Sequence, residues 1–206
     1  MSDIENCRKP KGYGGVKKLR KMNEGHHAEL SEWAFTKICT KEDFDCADLG
    51  CGGGANVGRL LSRCSAGTVK GLDYSSLSVS YSRRYNKHEI KKGRCQIVQG
   101  NVMSLPFDDS SFDLVTAFET IYFWPSITEA FKEVHRVLKA GGIFAVCNED
   151  DGLNPERQAW ASEIDNLTLY VQEEIETAMK DAGFAGICTE TESGKPWILI
   201  VASKAE

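Results

Sequence analysis

The sequence has no apolar run long enough to span a bilayer and no pair of cysteines at C-x-x-C spacing. The first absence excludes a membrane helix; the second removes the usual zinc and dithiol signatures. The opening residues, Met1-Ser2-Asp3-Ile4-Glu5, lack the basic and then apolar pattern of a secretory signal, so a cytoplasmic chain without membrane association is expected. Excess positive charge is missing too. Lysine and arginine number 25 against 30 acidic residues, a net charge of −5, which argues against an extended nucleic-acid surface. There are no internal repeats and no low-complexity segments. What is present is ordinary for one globular domain with a small appendage: 206 residues, 41% hydrophobic and 27% charged. The eight cysteines, at 7, 39, 46, 51, 64, 95, 147 and 188, read as reduced small hydrophobes, and no metal site is expected.

From Cys46 onward strand-like and helix-like segments alternate, which implies a parallel sheet covered on both faces. Strands are expected at 45–49, 68–73, 95–99, 112–118 and 143–147. Helices are expected at 55–63, from a Ser75 or Ser76 cap to about Ile90, and from Ser126 to Lys139 with Gly141-Gly142 as the stop. Two more helical segments follow Glu156. The segments 185–191 and 197–202, joined at Ser193-Gly194-Lys195-Pro196, read as a hairpin, so one edge strand must run antiparallel. Residues 1–42 are distinct. They are basic at Arg8, Lys9, Lys11, Lys17, Lys18, Arg20 and Lys21, and then helical with Leu30, Trp33, Ala34 and Ile38 on one face. They are expected to form a mobile flap, with the second domain at 43–206.

Asp48-Leu49-Gly50-Cys51-Gly52-Gly53-Gly54 is the most informative motif. An acidic residue closes an apolar strand, and the glycines let bare main chain, with its N–H groups, approach a polar ligand. Gly50-Cys51-Gly52-Gly53-Gly54-Ala55 also satisfies the dinucleotide fingerprint, and Asp73 stands where either kind of cofactor needs a ribose acceptor. A dehydrogenase fits less well: no second domain is available, and Tyr13-x-x-x-Lys17 precedes the first strand.

Downstream lie Gln99-Gly100-Asn101-Val102-Met103-Ser104-Leu105-Pro106-Phe107-Asp108, then Ser111-Phe112-Asp113-Leu114-Val115, then Glu133-Val134-His135-Arg136-Val137-Leu138-Lys139-Ala140-Gly141-Gly142. Together with the glycine loop this series resembles the class I S-adenosylmethionine-dependent methyltransferases of the small methyltransferase-domain type, over roughly residues 44–150. The resemblance implies a Rossmann-like, doubly wound α/β fold with a seven-stranded, mostly parallel sheet and an antiparallel last strand. It implies S-adenosyl-L-methionine as cofactor. Gly50, Gly52 and Gly54, with Cys51 between them, would pass beneath its methionine part, and Asp48 would hold its ammonium group. Asp73 would accept from both ribose hydroxyls, with Tyr74 packing beside the adenine and Ser75 also among the cofactor-binding residues. Asn101 and Val102 would meet the adenine edge, and Phe118 would expose backbone near the sulfonium. Family members usually carry Asp at the position of Asn101; an amide oxygen still accepts from the adenine amine.

Phe118-Glu119-Thr120-Ile121-Tyr122-Phe123-Trp124-Pro125 lies where the acceptor should sit and is not an Asn/Asp-Pro-Pro-Tyr element, which argues against exocyclic nucleobase amines and glutamine amides. Three adjacent aromatics are expected to wall a pocket for a flat or apolar acceptor, or else to pack the next helix. Glu119, Tyr122 and one of the flap histidines, His26 or His27 and preferentially His27, are the candidate catalytic groups. His88 and His135 are expected on outward helix faces. The acidic loop Asn148-Glu149-Asp150-Asp151 could touch the acceptor. The expected activity is methyl transfer to a small molecule by a monomer or homodimer. The alternatives are an RNA methyltransferase, suggested by the basic run from Arg83 to Arg94, or a non-catalytic S-adenosylmethionine-binding protein.

Overall fold

The computed structural model describes residues 7–206, with the side chain of His26 outside the described residues. Two N-terminal helices come first, α1 (Gly12–Asn23) and α2 (His26–Phe35). The alternating part then runs β1 (Cys46–Leu49), α3 (Ala55–Arg63), β2 (Val69–Asp73), α4 (Ser76–Tyr85), α5 (Lys87–Lys91), β3 (Cys95–Gln99), β4 (Phe112–Phe118), α6 (Ile127–Val137) and β5 (Leu138–Asn148). It closes with α7 (Pro155–Ser162), α8 (Gln172–Asp181), β6 (Phe184–Thr191) and β7 (Ile198–Lys204).

The seven strands form one sheet in the order β3-β2-β1-β4-β5-β7-β6. The five strands β3, β2, β1, β4 and β5 pair in parallel, and β7 runs antiparallel to both of its neighbours. This is the doubly wound architecture expected from the sequence. The chain order reverses between β1 and β4, so the carboxyl ends of these strands flank the crevice where such sheets take ligands. A core lies on each face. One joins Phe131 and Val134 of α6 and Ile175 and Met179 of α8 to the sheet; the other joins Leu30 and Ala34 of α2, Val57 and Leu60 of α3 and Val79 of α4.

Three boundaries differ from the sequence reading. The segment from Ser76 is broken at Asn86, whose buried amide donates to the Gly54 and Ser82 carbonyls at 3.0 and 3.2 Å and so ties the break to the glycine loop. The helix from Ser126 ends at Val137, before the two glycines. Leu138 is extended and fully buried, aligned with Phe112, and Lys139 reaches Asp113 at 2.7 Å. Gly141, at φ +72°, lies inside β5, where the register against β4 shifts. The antiparallel strand is not at the edge either. β7 is interior, and β6 forms the edge.

The N-terminal helices rest on the remainder of the chain through buried Leu19, Leu30 and Ala34. Glu32 bridges to Arg59 at 2.7 Å and Arg63 at 3.1 Å, Trp33 stacks near Trp197, and Asn23 donates to the Gly53 carbonyl at 2.9 Å. Among the described cysteines none is disulfide-bonded: Cys46, Cys51, Cys64, Cys95 and Cys147 are buried, whereas Cys39 and Cys188 are exposed.

Candidate active site

The tips of β1, β2, β3 and β4 enclose a cavity of about 340 Å³, roofed by Cys7, Arg8, Pro10, Leu19 and Met22 from the N-terminal segment. Asp73 lines it at the end of β2. Its two carboxylate oxygens each accept one main-chain N–H, from Gly52 at 2.9 Å and Ser75 at 2.8 Å. Burial raises its carboxyl above the usual range, and those two donors oppose the rise. Each oxygen keeps acceptor capacity toward the cavity. Tyr74, Gly50, Gly52, Asn101, Val102 and Phe118 line the same space.

The glycine loop does its work differently from the sequence expectation. Gly50 N–H and Cys51 N–H both donate to Leu72 O, Gly52 N–H goes to Asp73, and Gly54 N–H returns to Cys51 O. These four donors are therefore taken within the protein. What the loop offers is a surface free of side chains. Gly50, at φ +72°, sits so close to Thr120 that a Cβ would strike its side chain. Gly54 faces away from the cavity. It begins α3 at φ +83°, where a Cβ would meet Ser82 and Asn86. The Cys51 thiol also turns inward, toward Ser82. Ser75 caps α4, accepting from Ser78 N–H and donating to Pro10 O, and is not among the cavity-lining residues. Gly54, the Cys51 side chain and Ser75 thus help hold the loop's shape, and Cys51 also borders the smaller space beside Asp48. Asn101 does line the cavity, but its amide oxygen already accepts from Met103 N–H at 3.0 Å.

Asp48 fronts a smaller neighbouring space of about 50 Å³ with Asn23, His27, Ser31 and Arg59; Gly50, Gly52, Phe118 and Glu119 border both. It is almost fully buried and accepts from Thr116 Oγ1 at 2.8 Å. Burial pushes its carboxyl up to about 7, with the Asp73 charge adding to the rise and Thr116 and Arg59 opposing it. A cationic group entering here would recover that cost.

A third space, of about 170 Å³, opens on the far side of Glu119. Glu119 holds an unusual backbone, φ +56°, just past β4. Its N–H donates to Cys147 O, and its carboxylate accepts from Glu149 N–H, so one residue bridges the tips of β4 and β5. Burial, with Glu149 and Asp150 adding to it, raises this carboxyl to about 8, while Tyr122 and the Glu149 N–H pull the other way. Tyr122, hydrogen-bonded to Glu119, is raised well above the usual phenol range by burial. His27 borders this third space and the Asp48 space alike. All three residues singled out for catalysis therefore meet in one place.

The aromatic trio divides. Phe123 lines both the large and the third space, and Tyr122 meets it edge-on at 5.2 Å. Trp124 borders the large cavity but packs on Phe131 of α6 and donates to Thr120. His88 is exposed, as expected. His135 is half-buried against the Phe184 ring, and burial lowers its imidazole below the ordinary range. Sequence reasoning gave no role to Met22, Thr120 and Asn166 at the large cavity or to Arg157, Trp160 and Leu169 at the third. Thr120 lies within the segment read as the acceptor region, and Asn166, Arg157, Trp160 and Leu169 sit in no motif.

Residues 47–146 match the family described as "Methyltransferase domain". The chain is 30% identical over 176 residues to squalene methyltransferase 1 of Botryococcus braunii, covering 78% of this chain and 46% of that protein. It is 32% identical over 165 residues to a sterol 24-C-methyltransferase of Aspergillus fumigatus, covering 76% and 44%. The aligned part thus spans less than half of each relative. A SAM-dependent methyltransferase of Aquifex aeolicus superposes with a TM-score of 0.76 at 17% identity, over 91% of this chain and 97% of that one.

Proposed function

We propose that this chain, whose residues 47–146 match the methyltransferase-domain family, is a class I methyltransferase that transfers a methyl group from S-adenosylmethionine to a small molecule. The observation that carries the reading is Asp73. It is a buried carboxylate at the end of β2 with capacity left on both oxygens, fronting a cavity whose floor is bare main chain. A ribose presents two adjacent hydroxyl donors that suit it. The adenine would run toward Val102 and Asn101, and the methionine end toward Asp48, where an ammonium group would offset a costly buried charge.

The methyl group then points past Phe118 toward Glu119, which borders the third space as well. The acceptor's nucleophilic atom attacks the methyl carbon as the carbon–sulfur bond breaks, leaving neutral S-adenosylhomocysteine. The acceptor proton leaves to a nearby base. Holding the two reactants in line is the main catalytic device and lowers the barrier by about 7–11 kcal/mol in well-oriented cases. We assign His27 and Glu119 as the groups that bind the acceptor and take its proton, with the un-ionised Tyr122 phenol hydrogen-bonded to Glu119. Phe123, Trp160, Leu167 and Leu169 give that space an apolar wall, which suits a partly apolar small molecule better than a polynucleotide.

The N-terminal segment is the proposed cover, with α2 as its fixed anchor and α1 as the part that opens. No described helix is long and apolar enough to cross a membrane, and the five buried thiols fit a reducing, cytosolic setting. The test is turnover of methyl-labelled cofactor over amines, phenols, thiols and alkenes. Label transferred to a panel member supports the enzyme; cofactor bound with no transfer to any of them supports a binding protein.

A further inference from the structure

Ligand atoms of His27, Glu119 and Glu149 all lie within 4.8 Å of one another, on three separate parts of the chain. His27 comes from the first turn of α2, Glu119 from the turn after β4 and Glu149 from the turn after β5. They meet where the third space borders on the methyl-donor end of the large cavity. We propose that these three side chains bind one divalent transition-metal ion, of the Mn²⁺ or Zn²⁺ type, that holds an oxygen of the methyl acceptor. The inference rests on the methyltransferase reading and adds the acceptor's chemistry to it: an alcohol, phenol or enol oxygen.

One imidazole and two carboxylates make a mixed nitrogen and oxygen set, which favours such ions over Ca²⁺ or Mg²⁺. Metal bonds of about 2.1 Å place ligand atoms roughly 3.4 Å apart around a tetrahedral ion, so modest side-chain rotations close the site. Three protein ligands leave a coordination position for an acceptor oxygen, whose proton the ion makes easier to remove. The charge pattern agrees. Arg157 pairs with Asp150, and Glu119 and Glu149 bring two carboxylates side by side. Tyr122 donates to Glu119 from outside the trio, in the way a neighbouring donor orients a metal-bound carboxylate. Lys18 and Arg157 line the same space.

The experiment is calorimetric titration of chelator-treated protein with MnCl₂ and, separately, ZnCl₂, repeated on His27→Ala and Glu149→Gln with circular dichroism as the check on folding. One ion per chain, weakened at least tenfold in each folded variant, is the expected result. No binding up to 1 mM of either ion (on the order of the weakest affinity class) overturns the inference, as does binding that both variants leave unchanged. If His27→Ala fails to fold, Glu149→Gln alone decides. S-adenosylhomocysteine titrated into the metal-free protein reads the large cavity separately. Its binding with no metal heat sinks the metal site alone, and its failure sinks the methyltransferase reading.

Discussion

Asp48 and Asp73 close neighbouring strands, yet their surroundings ask different things of them. Asp73 is braced by two N–H donors, which oppose the rise that burial imposes on its carboxyl, and it faces the large cavity, where it can accept more hydrogen bonds. Asp73→Ala is expected to weaken S-adenosylhomocysteine binding at least tenfold in a titration, about 1.4 kcal/mol or more. Asp48 has one hydroxyl donor and deep burial, and its carboxyl titrates near 7 instead of its ordinary 3.8. Since its folded value is raised, ionising Asp48 costs the folded state. That cost grows as pH rises from about 4 to 7 and stays in place above, on the order of 4 kcal/mol. Asp48→Asn should therefore melt higher than the parent at pH 8 while binding the cofactor more weakly. The parent's affinity should fall as pH drops below 7, and the variant's should not; parallel pH profiles would remove Asp48 from the ammonium site. At this scale the sequence was a partial guide. Asp48 and Asp73 were legible because an acid ending an apolar strand meets whatever lies at the sheet's tip. The neighbours of Ser75 and Gly54 were not legible, because Pro10, Ser82 and Asn86 come from distant segments.

Strands and helices that depend on local pattern stood where the sequence put them, and those that depend on a remote partner did not. β2, β3 and β4 are continuous apolar or alternating runs bounded by turn residues. The break at Asn86 depends on an amide reaching Gly54, and the early end of α6 on Leu138 finding a place beside Phe112. The interior position of β7 follows from its pairing with β5, with Ile198, Leu199 and Ile200 all buried. Ile200→Ala is expected to cost about 2–5 kcal/mol in urea unfolding, a loss that an edge strand would not show. For the proposed cover, the Asn23–Gly53 hydrogen bond is the point of closure. Asn23→Ala should cost about 1 kcal/mol of closure. That would speed amide exchange across residues 12–23 roughly fivefold with β1 and β2 unchanged. Equal exchange would mean that α1 does not open as a unit.

For the molecule as a whole, the order β3-β2-β1-β4-β5-β7-β6 explains why one end of the sheet carries all the chemistry. Parallel strands put their carboxyl ends on one side, and the reversal beside β1 opens the crevice there. The sequence disclosed this architecture through its alternation, but not the meeting of His27, Glu119 and Glu149, because no spacing relates a helix near the start to two distant strand ends. It placed the glycine loop correctly and missed that the loop's donors are spent inside the protein. The measurement that bears most directly on the whole reading is a crystal structure with S-adenosylhomocysteine. The ribose should sit on Asp73 with the sulfur near Phe118, between the large space and the third. A ligand bound elsewhere, or these strand tips left empty at saturating concentration, would contradict it.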